Sequence, residues 1–282
     1  VSSAASDVYK RQVINIDADL EVWREYARER EIHNAILSYL DIRPQNFYRV
    51  EADVDGLKFI TARGWEDMSS LMYVYEELGI SINAGVVGEF LHNEDIAEDF
   101  GAYYGLYNKY RDDYEINNIL AGNVAPDIYR RMVEADYDER LTVVNLLLDT
   151  LNKHFKYAAS LKADTDNWYK SIKEKIKAGE DAFAIDKEKA EFAAQAERLE
   201  SVEKQTLAKL ENAFDFLEGS KQEISREDIG KLDQEMLIFV TGLTTGKESS
   251  SFLLVNPCDR YKSYSAMYLK GGRRNQLLKE ME

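Results

Sequence analysis

Proline is almost absent from this sequence. Of 282 residues only Pro44, Pro126 and Pro257 are proline, the residue that removes a backbone donor and blocks the helical conformation before it. The stretches between them are rich in glutamate, lysine, alanine and leucine, which form helices readily. With 45% hydrophobic and 31% charged residues, the chain has enough apolar surface to fold around a core. Its length suits one large domain or two smaller ones. The expected fold class is all-α, mainly helical, with a short β-hairpin near residues 47–61.

Charge narrows the partners. The formal net charge is −16. From Glu89 to Glu139 thirteen acidic side chains face four basic ones, a net of −9. Such a surface repels phosphate backbones and anionic headgroups, so neither nucleic acid nor membrane is an expected partner. No apolar run approaches the roughly 18 residues that span a bilayer, and the start does not read as a secretory signal. Cys258 is the one cysteine, so no internal disulfide forms and a reducing, cytoplasmic location fits.

Residues 1–12, Val-Ser-Ser-Ala-Ala-Ser-Asp-Val-Tyr-Lys-Arg-Gln, resemble a translated sequencing-adapter tail. The natural protein is then expected to start near Val13 with its upstream part missing, and this stretch is set aside from the fold.

Val13 to Ile16 is a β-branched run that reads as the end of a strand. Asp17 or Asp19 can N-cap a helix carrying Leu20, Trp23 and Ala27 on one face. A second helix carries Ile32, Ile36, Leu37 and Leu40, and Pro44 closes it. Residues 47–52 and 57–61 flank Asp55-Gly56, a hairpin-turn signal. A third helix has Trp65, Met68, Leu71, Met72, Tyr75 and Leu78 at helical spacing, with Gly79 placed to end it. The pattern stays helical and aromatic through Tyr114, and a loop runs from Ala121 to Pro126.

Asp136 or Asp138 can then cap an amphipathic helix bearing Leu141, Val144, Leu148, Leu151 and Phe155. From Asp164 to Glu218 the composition turns to lysine, glutamate and alanine. Ile185, Phe192, Leu199 and Ala213 share one seven-residue register, with Ala196, Leu210 and Leu217 between them. Thr206 and Glu203 interrupt that register, which favours a long helical hairpin over a committed coiled coil. Gly219-Ser220 is expected to end it. A last unit follows, with a helix through Met236, Phe239 and Val240 and a final helix from about Ser263.

Few of these residues promise chemistry. Gly242-Leu-Thr-Thr-Gly246-Lys247-Glu248 imitates a phosphate-binding loop, but it has three residues between the glycines where four are needed. Glu248 also stands where a hydroxyl should hold magnesium, and its carboxylate would repel phosphate. His33, His92 and His154 are far apart and form no two-histidine helical motif, so they read as surface or packing residues and no metal site is expected. Asp112 and Asp113 are adjacent and point apart on a helix. Cys258 has no evident base to activate it. Tyr103, Tyr104, Tyr107, Tyr110 and Tyr114 read as core and helix contacts rather than a cofactor box. Arg63 stands out by position: a cation in the first turn of a helix mildly opposes the helix dipole, and its planar fork suits a phosphate, although on chemistry alone an ordinary surface arginine is the favoured reading.

Taken in order, several segments resemble the helical lid of AAA+ ATPases of the MoxR type. They are Asp19-Leu-Glu-Val-Trp23-Arg-Glu-Tyr26-Ala27, then Ile32-His33-Asn34-Ala35-Ile36-Leu37-Ser38-Tyr39-Leu40, then Pro44 and Phe47-Tyr48. Thr61-Ala62-Arg63-Gly64-Trp65-Glu66-Asp67-Met68-Ser69 is similar to the sensor-2 motif that opens the third lid helix. The resemblance implies that Arg63 reaches the γ-phosphate of ATP held by a neighbouring domain.

The resemblance covers a lid over residues 13–91 and an extension beyond it, which composition and pattern divide into a helical extension over 92–160, a charged helical hairpin over 161–222 and a C-terminal unit over 223–282. It further implies ATP and magnesium as cofactors of the intact parent, a homo-oligomeric (hexameric) ring, and a von Willebrand A-type partner protein. Walker A, Walker B, sensor-1 and arginine-finger residues are not found in the sequence. Phosphoryl transfer depends on positioning and electrostatics from those parts, so this chain alone is expected neither to hydrolyse ATP nor to hold a cofactor. The rival expectation is a stand-alone acidic α-helical scaffold or adaptor that binds a protein partner through the hairpin. A hydrolase using scattered carboxylates has composition alone behind it.

Overall fold

The computed structural model describes residues 18–53, 56–179, 181–222 and 231–269. The expected strand at Val13 to Ile16, the adapter-like start and Asp17 lie outside the described residues. The chain divides into two compact units, residues 1–104 and 105–282, and each is considered by itself.

In the first unit Asp19 opens the fold. Its Oδ1 accepts the backbone N–H groups of Glu21 and Val22 at 2.8 and 3.1 Å, which starts helix α1, Leu20–Glu29. Helix α2, Asn34–Ile42, is capped by His33, whose Nδ1 accepts the N–H of Ala35 at 3.2 Å. A single 3-10 turn at Pro44–Asn46 follows. Strands β1, Arg49–Asp53, and β2, Gly56–Ile60, pair antiparallel with Val50 opposite Phe59 and Ala52 opposite Leu57. The expected hairpin is therefore present. The Asp55 side of its turn lies outside the described residues.

Helix α3, Ala62–Leu78, starts where Thr61 Oγ1 accepts the N–H of Gly64 at 3.2 Å. It stops at Gly79, whose φ of +67° is cheap for glycine alone. Trp65, Met68 and Met72 are buried, whereas Leu78, aligned with them in sequence, is 65% exposed. The apolar face outruns the core by one turn. Helices α4, Ala84–Gly88, and α5, Glu94–Asp113, follow.

The core of this unit is aromatic. Trp65 lies 5.8 Å from Tyr39 and 5.3 Å from Phe100 between ring centres. Its indole N–H donates to the carbonyl of Phe47 at 3.1 Å, so a fully buried Trp65 leaves no orphaned donor. Truncating it to alanine would cost about 3–5 kcal/mol.

The second unit is built on two long helices. After α6, Ile116–Leu120, and α7, Pro126–Glu134, helix α8 runs Tyr137–Ala178 over 42 residues. Asp136 holds the N-cap position, with no hydrogen bond from its side chain to the backbone. The apolar stretch from Leu141 to Phe155 and part of the charged stretch beyond Asp164 are thus one helix. Gly179, at φ +73°, turns the chain, and α9, Ala182–Gln222, returns. Helices α10, Lys231–Thr245, α11, Lys247–Val255, and α12, Asp259–Tyr268, complete the unit. Its core joins Leu147, Leu151 and Phe155 of α8, Leu210, Phe214 and Leu217 of α9, and Phe239 and Val240 of α10.

Gly219-Ser220 does not end the hairpin, because α9 continues to Gln222. A Cβ on Gly219 would lie 2.6 Å from Cε1 of Tyr129, so this glycine serves the close approach of an aromatic ring, not a helix stop. Thr206, expected to weaken the register, is buried at 2% exposure within it. The final helix begins at Asp259, four residues before the expected start, because Cys258 caps it.

Candidate functional site

Arg63 sits in the first turn of α3, where the Thr61 cap fixes the direction of the backbone. Its side chain is 79% exposed and pairs with Asp67 on the same helix, Nε to Oδ2 at 3.2 Å. The hydrogen bond and charge of Asp67, with the charge of Glu66, raise the guanidinium pKa further. Tyr26 closes the surroundings, its hydroxyl donating to Glu66 at 2.9 Å. The rim around Arg63 is therefore acidic. Its exposed pair with Asp67 is of the weakly held kind that salt and competing anions displace.

The other sequence candidates are not brought together. His33 is buried and engaged on both nitrogens: Nδ1 caps α2, and Nε2 lies 3.2 Å from Glu76. Since Nδ1 accepts a backbone N–H, the proton is assigned to Nε2, which donates to the carboxylate. Tyr104 donates to that same Glu76 oxygen at 2.9 Å. The ring of His92 packs on Phe59 at 4.6 Å. His154 faces Lys209. Among the described residues no group of three His, Cys, Asp or Glu side chains could hold a metal ion.

The phosphate-loop imitation is helical. Gly242 lies inside α10, where a Cβ would meet Leu148 Cδ1 at 2.5 Å, and Gly246 is the N-cap residue of α11. Its glycines serve helix packing and a break between two helices. Asp112 and Asp113 diverge to Arg111 at 3.6 Å and Arg131 at 3.0 Å. Tyr104, Tyr107 and Tyr114 are buried, in keeping with their reading as core residues. Cys258 is 2% exposed, donates to Glu211 at 3.2 Å and accepts the N–H of Tyr261 at 3.3 Å. Burial pushes its thiol up to about 11, so it stays a neutral capping group rather than a nucleophile.

Long-range polar contacts escaped the sequence reading. Arg140 reaches Glu235, and Tyr114 and Arg131 both donate to Glu139 Oε1, at 2.8 and 3.1 Å. Arg131 also lies over the Tyr114 ring at 4.8 Å. Nothing local in sequence marks such partners. The one signal available was His154, which stands seven residues from both Leu147 and Leu161 on an apolar line of α8. An open depression of about 440 Å³ is lined by Arg111, Asp112, Glu115, Asn117, Thr150 and Lys153. Its cations are already paired, Arg111 with Asp112 and Lys153 with Asp149. Among the described residues no helix is long and apolar enough to cross a membrane.

Set against known proteins, the chain matches no family model, no curated protein and no solved structure.

Proposed function

We propose that the first unit is the nucleotide-sensing lid of an ATP-driven protein-remodelling machine of the MoxR type, with Arg63 as its sensor. The supporting observation is local: Arg63 projects from the capped first turn of α3, exposed, and its paired partner is an exposed carboxylate of its own helix. A γ-phosphate offers more charge and a matched set of oxygens for a planar fork, so it competes well with Asp67. The order of parts adds support: a Trp23-bearing helix, a second helix, a proline-led turn, then Thr61-capped α3. In this reading ATP and magnesium bind a domain outside this chain, the assembled protein is a homo-oligomeric ring, and a von Willebrand A-type protein is its client. Closing of the lid on nucleotide then couples hydrolysis to movement.

The test joins this chain to the coding sequence upstream of Val13 and compares wild type with Arg63→Ala. Loss of ATP turnover by about tenfold or more is expected, the scale of a charged hydrogen bond. Unchanged turnover would overturn the sensor role.

A second reading, an α-helical adaptor, draws on exposed apolar side chains of the second unit. Phe183, next to the hairpin turn, is 83% exposed, and Leu254 on α11 is 86% exposed. The upstream DNA separates the two readings. An in-frame phosphate-binding loop supports the ATPase, and a stop codon followed by a ribosome-binding site supports the adaptor.

A further inference from the structure

The β-hairpin of the first unit leaves one strand edge open. Phe59 on β2 donates its backbone N–H to the carbonyl of His92 at 3.0 Å, so its backbone groups point away from β1. In an antiparallel ladder two opposite residues turn their N–H and C=O groups either both inward or both outward, and the two kinds of pair alternate. Val50 lies opposite Phe59 and Ala52 opposite Leu57. Val50 and Ala52 therefore turn their N–H and C=O groups outward, along the far side of β1. Among the described residues the sheet has two strands, and no backbone hydrogen bond reaches Val50 or Ala52 from that side.

Proteins commonly blunt such an edge with proline, a bulge or a run of like charge. β1 contains no proline, and its register with β2 runs without a bulge. One face of the hairpin is apolar and uncovered, with Val50 51% and Leu57 60% exposed. The other face of β1 carries Arg49 and Glu51, both exposed and paired with each other at 2.7 Å.

This pattern is complementary to itself. Laying β1 antiparallel to a second β1, with Val50 facing Val50, sets Arg49 of each copy opposite Glu51 of the other. Both cross-strand pairs then attract. The neighbouring registers that keep the outward groups facing each other set Glu51 against Glu51, or Arg49 against Arg49, and like charges directly opposite are destabilising.

We propose that β1 is a dimerisation edge, on which a second copy of this chain adds its own β1 antiparallel and centred on Val50. The two Val50 residues exchange backbone hydrogen bonds, Ala52 pairs with Tyr48, and the two hairpins become one four-stranded sheet. The contact is isologous, and its short strands make it weak and concentration-dependent. None of this rests on the ATPase reading, whose ring needs heterologous contacts.

Sedimentation of the full chain from about 1 to 300 μM should carry the mass from that of one chain toward twice it, as a micromolar Kd requires. Arg49→Glu and Glu51→Arg each set like charges opposite one another and should weaken self-association about tenfold. Mixing the two variants should restore a dimer, because each then meets the opposite charge at both positions. Amide exchange should slow at Val50 and Ala52 as concentration rises, while Glu51, whose N–H faces β2, stays unchanged. A monomer at every concentration overturns the proposal, as does a dimer untouched by either variant or a mixture that fails to associate. Val50 and Ala52 amides protected equally at all concentrations mean that residues of the same chain cover the edge, and overturn it too. Should a variant fail to fold, the exchange of the wild type decides.

Discussion

Arg140 and Glu235, 95 positions apart, meet at 2.7 Å between Nε and Oε1, with the glutamate wholly buried and the arginine nearly so. The pair ties α10 to the start of α8. Among the described residues its second oxygen, Glu235 Oε2, is buried without a hydrogen-bond partner, so the ion pair is incompletely satisfied there. Burying two charges costs several kcal/mol, which the attraction between them roughly offsets.

Removing one partner should therefore hurt more than removing both. Arg140→Ala leaves a bare carboxylate in the core and should lower unfolding free energy by about 3–5 kcal/mol in urea titrations. Arg140→Met combined with Glu235→Leu should recover most of that loss. A double variant as unstable as Arg140→Ala would contradict this account.

Gly219→Ala pits propensity against packing. Alanine gains about 1 kcal/mol over glycine inside a helix. Here its Cβ would sit 2.6 Å from the Tyr129 ring, an overlap worth about 1–3 kcal/mol. A net loss of stability is expected, and on a Tyr129→Ala background the same substitution should become stabilising. Thermal melts of the four proteins give the comparison.

Acid should loosen the hairpin through His154. Its folded pKa lies below the ordinary histidine value of 6.5 because burial and Lys209 disfavour the imidazolium. The unfolded chain then binds more protons in that window, so the stability contributed by the neutral ring is present above 6.5 and fades as pH falls through the folded value. The difference in melting temperature between wild type and His154→Gln should shift against the wild type on acidification. A difference independent of pH would exclude this role.

Cys258 should behave as a buried cap. With its thiol pushed from 9.0 to about 11, a disulfide reagent should label it slowly in the native protein and rapidly in denaturant. The folded value is the raised one, so this contribution to stability is intact below 9.0 and is lost as pH rises through about 11. Cys258→Ser, which keeps an acceptor at the cap, should be milder than Cys258→Ala, which loses about 1 kcal/mol. Equal effects would argue against capping.

Local patterns were legible in the sequence wherever one physical rule acted alone. Asp19 and Gly79 mark helix ends by capping and by φ, and the structure uses both. The hairpin register from Ile185 to Ala213 follows from side-chain periodicity. Reading failed where tertiary contact overrode a local rule. Gly219 looks like a stop, yet the ring of Tyr129 explains it. Leu78 looks like core, yet the core ends a turn earlier. His33 caps a helix that a search for Asp, Ser or Thr would not locate. As for the candidate site, the position of Arg63 on its helix follows from local sequence, but its pairing with Asp67 and its exposure are set by the folded arrangement. Arg140 with Glu235, and His154 with Lys209, bridge separations of 95 and 55 residues that no periodicity connects.

The long helices also impose a gradient of mechanical strength. A helix of 42 residues spans roughly 60 Å. Most of its buried residues, Arg140 through Leu161, crowd the half that α10 and α11 flank, and beyond them only Thr165 and Ile172 are buried on α8. Among the described residues the far half rests on its two arms alone, through Ile172, Ile185, the Trp168–Phe192 contact and the Lys175–Glu188 bridge. Amide protons there should exchange by separation of the arms, while those near the base exchange only when the whole unit opens. The hairpin is in effect a rod clamped at one end, and a force applied near Phe183 is felt first as splaying of the arms rather than as unfolding of the core.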